Sequence, residues 1–406
     1  MGTVLDEWLL KTIYRLIGEI PIRISLWNGA KIGPHHEMPI AHVHIRSRRA
    51  LLRLAINPEL YFGDAYSNGD IQLTGDLVQF LEKIYQGMSR SKRSWLQRQI
   101  VHWQARPRRN SLYGSKENIH KHYDIGNQFY RMWLDKKMLY TCAYYPSPEG
   151  VLEQAQEEKM HHIARKLLLK PGETVVEAGC GWGPLARHLA KHYGVKVHAY
   201  NISHQQIIHA RQRAHEEGLD KCVTFIEDDY RNIQGKFDAF VSVGMLEHVG
   251  VNNYEELGNT IKRCLKEDGR GLIHSIGRNQ PVRMNAWIER RIFPGAYPPT
   301  LRETMDIFEP ENFSVLDVEN IRLHYALTLR HWLERFEKNT DQVNNMFDEE
   351  FVRAWRLYLA GSIAAFSTGA LQLYQIVFAP GTSNKVPWTR DHIYRKEEEA
   401  EWKQVM

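Results

Sequence analysis

Thr174-Val175-Val176-Glu177-Ala178-Gly179-Cys180-Gly181-Trp182-Gly183 is the stretch on which the fold turns. A short β-type run ends in an acid. Three glycines then alternate with other residues, ahead of a helix-like run, Leu185–His192. Glycines let a backbone approach a ligand that a Cβ would block. The helix N-terminus that follows offers free N–H groups. Downstream, strands are expected at Val195–Tyr200, Val223–Glu227, Phe237–Val243 and Gly271–Ile276, with helices at Gln205–Glu217 and Tyr254–Leu265. Apolar strands separated by helices predict an α/β fold with a doubly wound, mostly parallel sheet. A helix over about 150–169 leads in through Pro171-Gly172. Residues 280–350 read as helices and loops, inserted before a last helix, Val352–Ala365, and a last strand, Gln372–Phe378.

Upstream, residues 1–88 read as a small mixed α/β domain. It is expected to open with an amphipathic helix (Leu5, Leu9, Ile13, Leu16), with strands at Ile22–Trp27 and Leu51–Ile56. Residues 89–116 form a basic linker, and residues 117–406 a catalytic domain. From Lys83 to Lys116 there is no Asp or Glu, but there are Lys83, Arg90, Lys92, Arg93, Arg98, Arg106, Arg108, Arg109 and Lys116. Leu96, Ile100 and Trp103 fall at helical spacing within it. The segment reads as a surface for anionic membrane phosphates, each basic residue contributing about 1 kcal/mol there. A solvated linker helix ending at Pro107 is the competing reading. No nucleic-acid module accompanies the patch, so nucleic acid is not expected as a partner.

The 406 residues carry a net charge of +5, 43% hydrophobic and 25% charged residues, which suits a globular protein of two domains. Cys142, Cys180, Cys222 and Cys264 are spaced for neither a zinc site nor a disulfide framework, and no helical histidine pair argues for metal. Reduced thiols imply a cytoplasmic setting. Asp6 and Glu7 stand where a signal peptide would be positive. No run approaches the roughly 20 apolar residues that span a bilayer, so membrane contact is expected to be peripheral.

Two ligands compete for the glycine loop. A dinucleotide wants Gly-x-Gly-x-x-Gly and an acid about 20 residues on. Here the third glycine is one residue early, and the second strand ends in Tyr200-Asn201-Ile202-Ser203. The third strand ends in Asp228-Asp229, placed to accept from an adenine amine. That pattern points to S-adenosylmethionine. Glu247 and His274 lie at or just beyond strand ends, so both can face one cavity. Taken singly, these residues have plain readings: Cys142 a small buried side chain, Glu247-His248 a turn, Tyr325 core.

Together the motifs resemble the cyclopropane fatty acid synthase family, from about Tyr61 to about Phe378. The match runs through Gly63-Asp64-Ala65-Tyr66, His122-Tyr123-Asp124-Ile125-Gly126-Asn127, Tyr140-Thr141-Cys142-Ala143-Tyr144, Gly179 to Gly183, Glu247-His248-Val249-Gly250 and Phe293-Pro294-Gly295, in order. The resemblance implies a Rossmann-like class I methyltransferase sheet with helical insertions. It implies cofactor contacts from Tyr140, Thr141, Gly179, Gly181, Asn201, Gln206, Asp229 and Tyr230. It also implies a bicarbonate ion held by Glu247, His274, Tyr325 and the backbone of Cys142 and Ile276. The implied reaction adds a methylene from S-adenosylmethionine to the cis double bond of unsaturated phospholipid chains, in a homodimer at an anionic membrane surface. Ala178, Asn201 and Ser367 depart from the usual family residues. Fatty-acyl C-methylation and small-amine N-methylation are the neighbouring activities; the amine branch tends to carry Glu at the position of Gly244. A cofactor-binding scaffold without chemistry is the non-enzymatic reading.

Overall fold

The small domain begins with helix α1 (Val4–Leu16), followed by β1 (Ile22–Leu26), β2 (Lys31–Ile32) and β3 (Ala41–Ile45). Helices α2 (Arg48–Ile56) and α3 (Pro58–Ser67), strand β4 (Ile71–Gly75) and helix α4 (Leu77–Arg90) complete it. Its sheet runs β2-β1-β3-β4, with β1 and β3 parallel and the outer pairs antiparallel. The structure, a computed structural model, describes residues 4–18, 20–34, 38–90 and 125–394. The basic linker from residue 91 onward, and His122-Tyr123-Asp124 of the aromatic motif, lie outside the described residues.

Several expectations for this domain are corrected. Leu51–Ile56 is helical, not a strand. Ser47 caps α2 by accepting from the Ala50 N–H at 3.1 Å, and Ala50, Leu51 and Leu54 turn inward at helical spacing. In α1 the buried apolar side chains are Leu9 and Leu10, while Leu5 and Leu16 stand in solvent. Strands β2, β3 and β4 were not anticipated.

The catalytic part opens with α5 (Asn127–Arg131) and α6 (Leu152–Lys166). Then come β5 (Thr174–Ala178), α7 (Pro184–Tyr193), β6 (Lys196–Asn201), α8 (His204–Glu216), β7 (Val223–Glu227) and β8 (Phe237–Val243). Helices α9 (Leu246–Val249) and α10 (Tyr254–Cys264) lead to β9 (Leu265–Gly277). The insert holds α11 (Ala286–Arg291), α12 (Leu301–Thr304), β10 (Phe313–Asn320), α13 (Arg322–Lys338) and α14 (Thr340–Met346). Helix α15 (Glu349–Ser367), strand β11 (Gln372–Pro380) and α16 (Asp391–Tyr394) follow.

These strands form one seven-stranded sheet, ordered β10-β11-β9-β8-β5-β6-β7. The β9-β8-β5-β6-β7 portion is parallel; β11 and β10 join antiparallel. Four of the five β5 residues are buried, as a central strand covered on both faces requires. The α/β expectation therefore holds. The insert contains one strand that was read as helix and loop. Sequence Phe313-Ser-Val-Leu-Asp-Val-Glu-Asn320 is an edge strand with little buried surface, so it lacks the apolar run that marked the others. Among the described residues no helix is long and apolar enough to cross a membrane.

The two parts share a core. The Trp287 ring fills a notch at Gly63, where an added Cβ would come within 2.4 Å of it. Arg353 of α15 donates to the carbonyls of Tyr66 (2.6 Å) and Ile71 (2.9 Å), and Ser367 donates to Glu82 at 2.7 Å. Helix α15 thus links the small domain to the cofactor side of the large one.

Candidate active site

The carboxyl ends of β5, β6, β7 and β8 open into a single cleft, the usual place for a ligand in an open α/β sheet. Tyr140, Thr141, Gly179, Gly181, Asn201, Gln206, Asp229 and Tyr230 all line it. Asn201 fixes the glycine loop. Its Nδ2 donates to the Gly181 carbonyl at 3.3 Å and to Gln206 Oε1 at 2.7 Å. Asp229 caps the 3-10 turn Tyr230–Asn232 by accepting from the Arg231 N–H at 3.0 Å.

Three residues here escaped the sequence reading. Lys159 is fully buried on α6, lines the cleft, and donates to Thr141 Oγ1 at 2.6 Å. Burial pushes its ammonium down, to about 8, against the pull of Asp135. Gln156 Nε2 donates to the Thr141 carbonyl at 2.9 Å, and the hydroxyls of Tyr140 and Tyr358 meet at 2.9 Å. The available signal was a lysine and a glutamine inside the apolar stripe of a helix that carries Leu152, Ala155, Met160 and Ile163. A polar residue on a core face needs a partner or a task.

The residues that the resemblance assigns to the reaction come from four places. Glu247 lies on α9, directly after β8, and its Oε1 accepts the Ile276 N–H at 2.6 Å. The backbone of Ile276 is thereby committed to Glu247. Burial raises the Glu247 carboxyl to about 7, with the Ile276 N–H pulling the other way. Its Oε2 is buried without a partner.

His274 is two residues before Ile276 on β9 and 2% exposed. Gln375 Nε2 donates to its Nδ1 at 3.1 Å, which leaves the ring proton on Nε2. That Nε2 is buried and unpartnered. Burial first, then Lys159 and Lys166, hold the imidazole well below its usual range, so it is neutral at physiological pH.

Cys142 is fully buried. Burial pushes its thiol well up, and its Sγ donates to the Ala143 carbonyl at 3.1 Å. A thiol so held is a poor nucleophile. Its N–H donates to none of the described residues. The next N–H, of Ala143, donates to Thr328 Oγ1 at 3.1 Å, tying this strap to α13. Tyr325 sits one turn earlier on α13, its ring 4.6 Å from Phe366 and 5.9 Å from Trp332.

The raised Glu247 carboxyl has a stability consequence. An acid whose folded-state pKa is above its ordinary 4.5 adds stability that is complete below 4.5 and lost as pH climbs through about 7. The thermal midpoint of a Glu247→Gln variant, minus that of the parent, therefore increases between pH 5 and pH 8. Parallel midpoint curves across that window would remove the assignment.

The mycolic acid cyclopropane synthetase family model matches residues 111–376, and a model for a domain of unknown function matches residues 9–98. A probable fatty acid methyltransferase of Pseudomonas putida is 34% identical over 390 residues, covering 93% of this chain and 97% of the relative. The cyclopropane-fatty-acyl-phospholipid synthase of Escherichia coli K12 is 39% identical over 265 residues, covering 65% of this chain and 68% of the relative. Among solved structures, the cyclopropane synthase MmaA2 from Mycobacterium tuberculosis superposes with a TM-score of 0.62 at 27% identity, over 65% of this chain and 98% of that one. The mycolic acid cyclopropane synthase CmaA1, complexed with S-adenosylhomocysteine (SAH) and CTAB, gives the same TM-score and identity over 65% of this chain and 97% of that one.

Proposed function

The chain belongs to the mycolic acid cyclopropane synthetase family of S-adenosylmethionine-dependent methyltransferases, and from that premise we propose that it forms cyclopropane rings on the unsaturated acyl chains of phospholipids. The observation that carries this reading is a pair of buried, unpartnered polar atoms of opposite character, Glu247 Oε2 and His274 Nε2. Native interiors rarely leave such atoms unpaired. With the unengaged Cys142 N–H they offer one acceptor and two donors. A small species with both an O–H and an anionic oxygen fits that set, and bicarbonate is such a species. Glu247, His274, Tyr325 and Cys142 would hold it, with Ile276 keeping the Glu247 carboxylate in place. Bound there, it would supply a base for the proton lost as the ring closes.

The rest of the chemistry falls to the chain. An alkene is a weak nucleophile, so it must be held in line with the sulfonium methyl at near-attack distance. Tyr140 and Thr141 line the cofactor cleft, and both are fixed from behind, by Tyr358 and by Lys159 and Gln156. Around Tyr140 stand Trp133 and Trp332, ring centroids 5.2 and 5.4 Å away. Aromatic faces stabilise positive charge on an acyl chain and keep water from quenching it. His274 presents an N–H toward negative charge, and Glu247 accepts a proton. Turnover should therefore fall steeply in rigorously degassed buffer and return on adding bicarbonate; unchanged rates would overturn the anion reading.

The lipid surface is part of the proposal. Support comes from the basic run of the linker and from α1, where Val4 (88% exposed) and Trp8 (59%) project into solvent. We place the protein peripherally on anionic membranes, on the cytoplasmic side, as a homodimer. Fatty-acyl C-methylation is the second reading, favoured by the likeness to the probable fatty acid methyltransferase of Pseudomonas putida. Small-amine N-methylation is disfavoured at Gly244. A Cβ there would come within 3.0 Å of Thr141 Cγ2, at a φ of +72°.

The deciding experiment incubates the protein with unsaturated phospholipid vesicles and methyl-labelled S-adenosylmethionine. The expected product gains one CH2 per chain, with ring protons at cyclopropane shifts. The same mass with olefinic or branched-methyl protons selects C-methylation. No label in lipid overturns both.

A further inference from the structure

A second cleft lies between the Lys136-Lys137 turn, α7 and α8, and nothing in the methyl-transfer reaction uses it. Lys136, Lys137, Arg187, Lys191 and Arg213 line it, against a single acid, Glu217. Glu217 engages Arg187 at 3.2 Å and Arg213 at 3.4 Å, and Glu157 engages Lys137 at 3.2 Å. Lys136 and Lys191 have no carboxylate within ion-pair distance among the described residues. The wall also contains His188, 4% exposed, with both ring nitrogens unpartnered. A buried imidazole without partners is costly, so this one calls for a ligand.

The excess of cations selects the sign of that ligand. Glu157, His161 and His188 bring ligand atoms within 4.8 Å of one another, a geometry open to a metal ion. Lys137 already holds Glu157, however, and a dication would enter among five cationic side chains. An anion meets none of that repulsion. Burial, helped by His161, His192, Lys137 and Lys191, keeps His188 neutral with an N–H to donate. Guanidinium, ammonium and imidazole N–H groups converging from three elements suit phosphate oxygens.

The cleft's walls are also the walls of the cofactor cleft. The Lys136-Lys137 turn runs directly into Met138–Thr141, and Pro184 lines both clefts. Arg187 Nη1 donates to the Trp182 carbonyl at 2.9 Å, inside the glycine loop. We propose that this cleft binds a phosphate-bearing anion, bridging the Lys136-Lys137 turn to α7, and that its occupancy tightens the hold on the cofactor. The coupling half of this inference rests on the cofactor reading above.

The test uses the full chain and inorganic pyrophosphate as probe, with vesicles of phosphatidylglycerol in phosphatidylcholine as a second arm. Pyrophosphate is titrated directly by calorimetry; SAH is then titrated with and without it. Saturable pyrophosphate binding is expected, and a drop of about fivefold or more in the SAH Kd, the usual scale of coupling between sites. The double variant Lys136→Glu/Lys191→Glu changes two exposed side chains. It should bind SAH alone like the parent and lose both the pyrophosphate binding and the tightening. If the vesicles tighten SAH binding and pyrophosphate does not, and the double variant loses that effect, the phosphate is a lipid headgroup. Absence of binding in both arms overturns the proposal, as does Zn²⁺ binding that the double variant leaves intact. A chain that fails to bind SAH under any condition indicts the cofactor reading, while the pyrophosphate titration still judges the cleft.

Discussion

A Glu247→Gln variant folds, binds SAH with the affinity of the parent, and turns over lipid about 10²–10⁴-fold more slowly, the usual weight of one positioned acid–base group. The amide keeps an oxygen for the Ile276 N–H, so the 2.6 Å hydrogen bond survives. What changes is the other atom. The partnerless Oε2, an acceptor, becomes an NH2 donor, so the proposed set of one acceptor and two donors loses its acceptor. Any bound species needing a proton acceptor at that point is expelled or misoriented. His274→Ala removes a donor from the same set, and the loss should be of similar size, with cofactor binding again retained. Calorimetry, thermal scanning and label transfer into lipid measure the three quantities separately. A parent-like rate in either variant would sink the site assignment.

Gly181→Val separates cofactor binding from folding. Gly181 has a φ of +55°, and a Cβ built on it meets nothing within 4 Å. The open space is the cofactor cleft itself. The fold should therefore lose only the cost of a β-branched side chain in left-handed backbone, about 1–3 kcal/mol. SAH affinity should fall by 10²-fold or more, because the isopropyl group occupies ligand space. Near-normal SAH binding in a folded Gly181→Val protein would mean that the ligand does not run along this loop.

Most of the large sheet was legible because its strands are buried on both faces and read as short apolar runs. Thr174–Ala178, Val223–Glu227 and Phe237–Val243 fall where the sequence placed them. The misses have two physical causes. Phe313–Asn320 is an edge strand, half polar, whose pairing with β11 supplies what its pattern does not. Leu51–Ile56 carries an apolar stretch that fits either period, and the Ser47 cap decided for helix. The eight expected cofactor residues line one cleft. Of the supports, Lys159 and Gln156 left only a polar break in an apolar stripe, while Tyr358 behind Tyr140 and Gln375 behind His274 come from distant stretches of chain and carry no motif. Residue type and spacing expose what faces a ligand; what stands behind it emerges only after folding.

Helix α15 imposes an order on biosynthesis. The small domain leaves the ribosome first, yet Trp287, Arg353 and Ser367, which meet Gly63, the Tyr66 and Ile71 carbonyls and Glu82, emerge about 200 to 280 residues after α4. At roughly 5–20 residues per second, the nascent domain waits ten seconds or more with that face bare. Chaperone demand during synthesis should thus be set by the smaller domain, which ends at Arg90 of the 406 residues.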